Sequence, residues 1–388
     1  MGRFGDGLAA DADLVRAAEQ ATERALAPLG GIPPTLVCAF VCGPTPDAVE
    51  AAFARVSSLV GDATTLGCSA GGVIGGEQAV ESASAVAVWA GVLPRTRLRT
   101  FHLEVMRTPD SLAVVGLPER LEEADLCLLL ADPYSFPADG FVTRMNDTAA
   151  GVPVAGGLAS GMLGPGGTRL LVDGRVVDRG AVGAVLRGPV GARTIVSQGC
   201  RPIGPTMVVT KAEGNVLLEL AGVEAVRKLE DIVADLPADE QALASRGLHI
   251  GIAMDEYAEV HDRGDFLIRG VLGIDESRGG VVVGDLVPVG TTVRFQVRDA
   301  QAADEDLRAL LAGPEVLGGP GLVEGALLFS CNGRGANLFP SADHDARLVA
   351  EHFAHAPVAG FFAAGEIGPV GGRNYLHGFT ASIVAFGS

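Results

Sequence analysis

PVAGFFAAGEIGPVGGRNYLHGF, Pro357 to Phe379, decides how the chain is read. An apolar run long enough for a buried strand breaks into small residues and then into Glu366, Arg373, Asn374 and His377. Within it Gly360, Ala363 and Gly365 follow the pattern G-x-x-A-x-G. The pattern recurs as Gly156, Ala159 and Gly161 in VAGGLASG and as Gly67, Ala70 and Gly72 in LGCSAGG, with a looser copy at Ser330, Gly333 and Gly335 in FSCNGRG. Glycine accepts backbone angles that a side chain forbids and admits a ligand or another strand close to the chain, so each copy reads as a tight, open corner. Because 54 of the 388 residues are glycine, the spacing alone is weak. The shared context of helix, strand and then corner carries the signal.

Outward from that stretch the same order repeats. TLVCAFVC (35–42) reads as a buried strand, Pro44 and Pro46 open a helix to about Leu59, and ATTLG (63–67) is a strand delivering the first corner. ADLCLLLAD (124–132), a helix from Ala138 to Ala150 and VPVAG (152–156) deliver the second. GALLFSC (325–331) delivers the Ser330 corner, and a helix from Asp343 to His355 feeds the last. TRLLVDGRVVDRG (168–180) reads as a hairpin on Asp173-Gly174. GGVIGG (71–76) and GPGG (164–167) read as loops, since no phosphate-binding glycine motif contains them. Residues 1–34 begin loosely and then form a lead helix capped by Asp11 or Asp13. Between Lys211 and Gly222 the composition changes, which places a domain boundary near 215. The expected fold is α+β: two related mixed α/β domains, 35–215 and 216–388, with β-α-β units ending in Gly-rich corners that meet between the halves.

Composition removes several function classes. With 48% hydrophobic and 20% charged residues the chain buries a sizeable core. A formal net charge of −18, with no run of basic residues, argues against nucleic acid and anionic membrane as partners. No stretch of eighteen apolar residues occurs, so no membrane-spanning helix is expected, and the acidic N-terminus is no secretory signal. Cys38, Cys42, Cys68, Cys127, Cys200 and Cys331 include no C-x-x-C pair, and four lie in apolar runs. A reducing, cytoplasmic compartment follows.

LGCSAGG, FLIRGVLGIDESRGGVVVGDLVPVG, LLFSCNGRG, and VAGFFAAGEIGPVGG with LHGFTASIV together resemble the FIST family of sensory modules over nearly the whole chain. The resemblance implies a domain that binds a small ligand, an amino acid or related metabolite, and passes occupancy to a signalling output. No kinase, chemoreceptor or F-box segment is read at either end, so the expected signal runs through a separate protein partner.

A zwitterionic ligand needs a cation for its carboxylate and an anion for its ammonium. Arg269, Arg334 and Arg373 lie in or beside the family-like motifs, and a guanidinium binds a carboxylate bidentately. Glu366, between Gly365 and Gly368, is the expected ammonium partner, with Asn332, Asn374 and His377 as further donors. Cys68 and Ser69 complete the expected ligand-binding set. A hydrolase is the competing reading, because Gly67-Cys68-Ser69-Ala70-Gly71 satisfies G-x-S-x-G; the glycine-rich sequence after Ser69 is a poor start for the helix that such an elbow requires. A scaffold without ligand, its corners serving only close strand packing, is the third. His344, His352 and His355 share a helix face, but no Cys/His cluster closes a tetrahedral set, so neither metal nor cofactor is expected.

Overall fold

The computed structural model describes residues 2–107, 112–258, 260–261, 263–313 and 322–387. They form two compact units, 1–196 with 307–388 and the intervening 197–306. Position 215 falls in the turn between the strands Met207–Glu213 and Val216–Leu220 of the second unit. Among the described residues no helix is long and apolar enough to cross a membrane.

The first unit repeats one α+β device three times. Leu36–Cys42 pairs in parallel with Thr64–Ser69 across the helix Pro46–Val60, which Thr45 caps by accepting the Ala48 amide at 3.3 Å. Leu126–Ala131 pairs likewise with Val154–Leu158 across Ala138–Thr148, and Val323–Cys331 with Val358–Ala363 across His344–His352. In each pair the second strand carries a glycine where a side chain would strike the first strand's backbone. A Cβ on Gly67, Gly156 or Gly360 would lie 2.2, 1.9 or 1.7 Å from the carbonyl oxygen of Ala39, Leu129 or Leu328. That close approach explains the leading glycine of each corner.

After the second strand of each pair the chain makes a hairpin and gives it to another copy of the device. Gly72–Gly75 with Gln78–Glu81 extends the sheet of Val358–Ala363; Leu170–Val172 with Arg175–Val177 extends that of Thr64–Ser69; Glu366–Val370 with Arg373–His377 extends that of Val154–Leu158. The exchange is cyclic, so three sheets enclose one core. Phe40, Phe329 and Phe361 meet there with Leu128 and Cys68.

Two expectations are corrected here. Residues 1–34 do not begin loosely: Arg3–Ala10 is a strand antiparallel to Ala85–Val92, followed by the helix Leu14–Leu26 capped by Asp13. Gly5 and Gly7 hide it from pattern reading, because the helix lies on their backbone, where a Cβ would sit 2.1 and 2.0 Å from the Ala25 and Ala21 oxygens. GGVIGG is likewise no loop but carries the strand Gly72–Gly75. A side chain on Gly72 would meet the Phe362 ring at 2.8 Å.

The second unit is an antiparallel sheet with the helices Ala225–Ala234 and Ala238–Arg246. Its core gathers Val209, Leu217, Leu229, Ile250, Val293 and Phe295. All four corners lie in the first unit.

Candidate functional site

The corners touch one another at the carboxyl ends of the parallel strands, the end where open α/β sheets place ligands. Ser160 Oγ accepts the Gly71 amide at 3.0 Å and donates to the Phe362 carbonyl, tying three corners together. Leu158 donates its amide to the Gly365 carbonyl at 2.8 Å and accepts the Ala364 amide at 3.0 Å, and the Asn332 amide donates to the Ala363 carbonyl at 2.8 Å. The Ser330 corner is therefore packed on the Gly360 corner, and between them lie the charged groups.

Arg334 follows the strand Val323–Cys331 and is completely buried. Its Nε and Nη2 grip Asp345 at 2.7 and 2.9 Å, a planar two-point pair, and Asp345 further accepts from Ser330 Oγ at 2.8 Å and pairs with His344 Nδ1 at 3.0 Å. Burial opposes ionisation of Asp345, but the Arg334 charge and these hydrogen bonds hold its carboxyl well below the usual range. His344 stacks on Phe339 with ring centroids 3.6 Å apart, and the Arg334 guanidinium lies over the same ring at 5.3 Å. Arg334 Nη1, also buried, makes no hydrogen bond among the described residues.

Glu366 opens the strand Glu366–Val370 and is also fully buried. Its Oε2 accepts the Thr380 amide at 3.1 Å and hydroxyl at 2.9 Å, while Oε1, with the Cys331 thiol beside the carboxyl, makes no hydrogen bond among the described residues. Burial pushes this carboxyl up to about 8, against the opposing donors of Thr380, the Cys331 thiol and the Arg334 charge. At neutral pH Glu366 is therefore mostly a neutral acid. Cys331 Sγ accepts the Gly333 amide at 3.4 Å, and burial together with Glu366 pushes its thiol up. Above them Phe379 holds a positive φ of 62°, a strained setting for a bulky residue, and its ring packs so closely that a Cβ on Gly333 would meet it at 3.0 Å.

Of the expected residues, the structure gathers Asn332, Arg334 and Glu366 here, with Asn332 exposed above the buried pair. His377 is Glu366's partner across the hairpin, and its Nε2 donates to the Gly368 carbonyl at 2.9 Å. Asn374 turns to backbone: Oδ1 accepts from Val154 and Nδ2 donates to Val152, fixing the hairpin to its host sheet. Arg373 lies exposed beside the Gly371-Gly372 turn. Arg269 belongs to the second unit and pairs with Asp285 at 2.7 Å. Cys68 is inside the three-sheet core, where burial pushes its thiol up. Ser69 Oγ accepts the Arg169 amide at 2.9 Å, and the chain continues into the strand Gly72–Gly75, whereas a nucleophile elbow turns into a helix.

Sequence reasoning missed Asp345, Thr380 and Phe379, and took Ser330 as a corner residue without its bond to Asp345. Asp345 lies on a helix whose acidic sequence gives no local sign of burial. The available signal was Arg334 itself, since a cation just after a buried strand requires a buried anion. The helix histidines are otherwise engaged: His352 Nδ1 with the Leu348 carbonyl, and His355, outside the helix, with Glu77 at 2.6 Å.

Residues 35–223 match the model of the FIST N domain, and residues 225–369 that of the FIST C domain. An uncharacterized protein of Mycobacterium tuberculosis is 44% identical over 386 residues, spanning 99% of both chains. An uncharacterized protein of Mycobacterium bovis is 41% identical over 384 residues, spanning 99% of this chain and 98% of its own.

Proposed function

This chain belongs to the FIST family, whose domains are sensory modules, and from that premise we propose that it binds a small zwitterion, an amino acid or related metabolite, at Arg334 and Glu366. One observation carries the reading: two completely buried side chains of opposite type each leave one polar atom without a hydrogen bond where the corners meet. An unpaired buried donor or acceptor costs about 1–3 kcal/mol, so a fold that keeps two together has a use for them. Arg334 Nη1 supplies donors for a carboxylate. Glu366 Oε1, once ionised, supplies the acceptor for an ammonium, and the exposed Asn332 beside them supplies a further donor.

The same arrangement gives occupancy a route outward. Glu366 begins one sheet's hairpin and Thr380 begins a strand of another, so their hydrogen bonds join two sheets through the strained Phe379. A ligand that draws Glu366 toward its ammonium loosens this joint, and a separate signalling protein reads the change. A cytoplasmic setting agrees with six cysteines that are all free and buried. The reading is of binding without turnover.

Calorimetric titration of the twenty amino acids into the purified chain tests it. Binding of at least one, weakened about tenfold or more in Glu366→Gln, is the expected result. Binding that is untouched by Glu366→Gln and by Asn332→Ala places the ligand elsewhere and overturns the site.

A further inference from the structure

A cavity of about 630 Å³ opens against the helix Ala138–Thr148 in the first unit, and none of its lining residues belongs to the zwitterion site. Leu117, Leu121, Phe141 and Met145 make its walls apolar, in the size range that holds small organic ligands. Gly140 sits in its first turn and lines the cavity, and a Cβ built there meets nothing within 4 Å. The cavity therefore borders the helix backbone at that residue.

One turn further on the same face is Arg144, which lines the cavity, is exposed, and has no partner for its guanidinium among the described residues. In a chain of net charge −18, an unpaired arginine beside an apolar cavity marks a place for an anionic head on an apolar body. We propose that this cavity binds a straight-chain fatty carboxylate, its head on Arg144 and its alkyl chain running past Gly140 onto Phe141 and Met145. The missing side chain at 140 is what lets the chain lie against the helix. Of the other charged lining residues, Glu122 is an anion and Arg120 is paired with Glu123, which leaves Arg144 as the head-group cation.

The test is titration of the full chain with dansyl-labelled undecanoate, followed by displacement with laurate and with dodecylamine. Saturable fluorescence enhancement is expected, reversed by laurate and not by the amine. Arg144→Glu weakens it about tenfold or more, and Gly140→Leu, a good helix former that fills the groove, abolishes it. No saturable binding, equal displacement by the amine, or unchanged binding in both variants overturns the proposal. Sedimentation of Gly140→Leu decides against it in another way: a dimer turned into monomer shows the cavity to be a self-association surface. Should that variant fail to fold, Arg144→Glu and the amine control decide alone.

Discussion

Asp132 and Glu366 are two buried carboxyls beside Gly-rich corners of the same three-sheet assembly, and they are finished differently. Asp132 lies three residues beyond Leu129, as Cys331 lies three beyond Leu328, so it occupies in one β-α-β unit the place that Cys331 holds in another. Thr168 donates to its Oδ1 at 2.7 Å and Ser135 to its Oδ2, so both oxygens are satisfied. Glu366 accepts the Thr380 donors on one oxygen and has the Cys331 thiol beside the carboxyl, its other oxygen making no hydrogen bond among the described residues, and its neighbour Arg334 has one idle nitrogen. The first carboxyl closes a loop. The second waits for a partner, and that contrast separates structure from function in a fold that repeats itself.

The largest break in the comparison is predicted at Asp345. Asp345→Ala strands the Arg334 charge in the core and should cost about 3–5 kcal/mol, measured by urea denaturation. Glu366 should give the next effect, with a pH signature. Its carboxyl titrates near 4.5 in the unfolded chain and near 8 when folded, so between those values the folded state holds the extra proton. Stability then falls as pH rises through that window, by on the order of a few kcal/mol. Glu366→Gln, uncharged throughout, should flatten the curve and be the more stable protein at alkaline pH; parallel curves for the two proteins would show that Glu366 ionises normally.

Asp132→Ala should cost about 1–3 kcal/mol by orphaning the two hydroxyls, and amino-acid binding should survive it. Lost binding there, with the fold intact, would erase the distinction between the two carboxyls. The smallest effect belongs to Thr380→Val, which removes one hydrogen bond to Glu366 at a cost of about 1 kcal/mol. Because that donor favours the carboxylate, its loss should move the fall in stability toward higher pH, visible in thermal melts across the window.

Much of this contrast could be read from the chain before any coordinates. The three strand pairs announce themselves through continuous apolar runs such as TLVCAFVC and ADLCLLLAD, and Glu366 and Arg334 stand out as charges set among glycines. What stayed hidden shares one cause. Gly5, Gly7 and Gly72 sit in strands but carry no side chain to show a pattern, because a helix or an aromatic ring occupies the space. The exchanged hairpins depend on pairings between segments as distant as Val73 and Phe361, which no local periodicity encodes. Asp345 looks like any solvated helix acid until Arg334 is folded against it, and Asn374 looks like a donor for a ligand until its amide is found bonded to Val152 and Val154.

Calorimetry of a binding amino acid in buffers of different ionisation enthalpy addresses the central claim directly. If the ammonium docks on Glu366, the neutral acid must ionise, and the account predicts release of close to one proton per ligand at neutral pH, abolished in Glu366→Gln. Tight binding with no proton released, in both proteins, would contradict it.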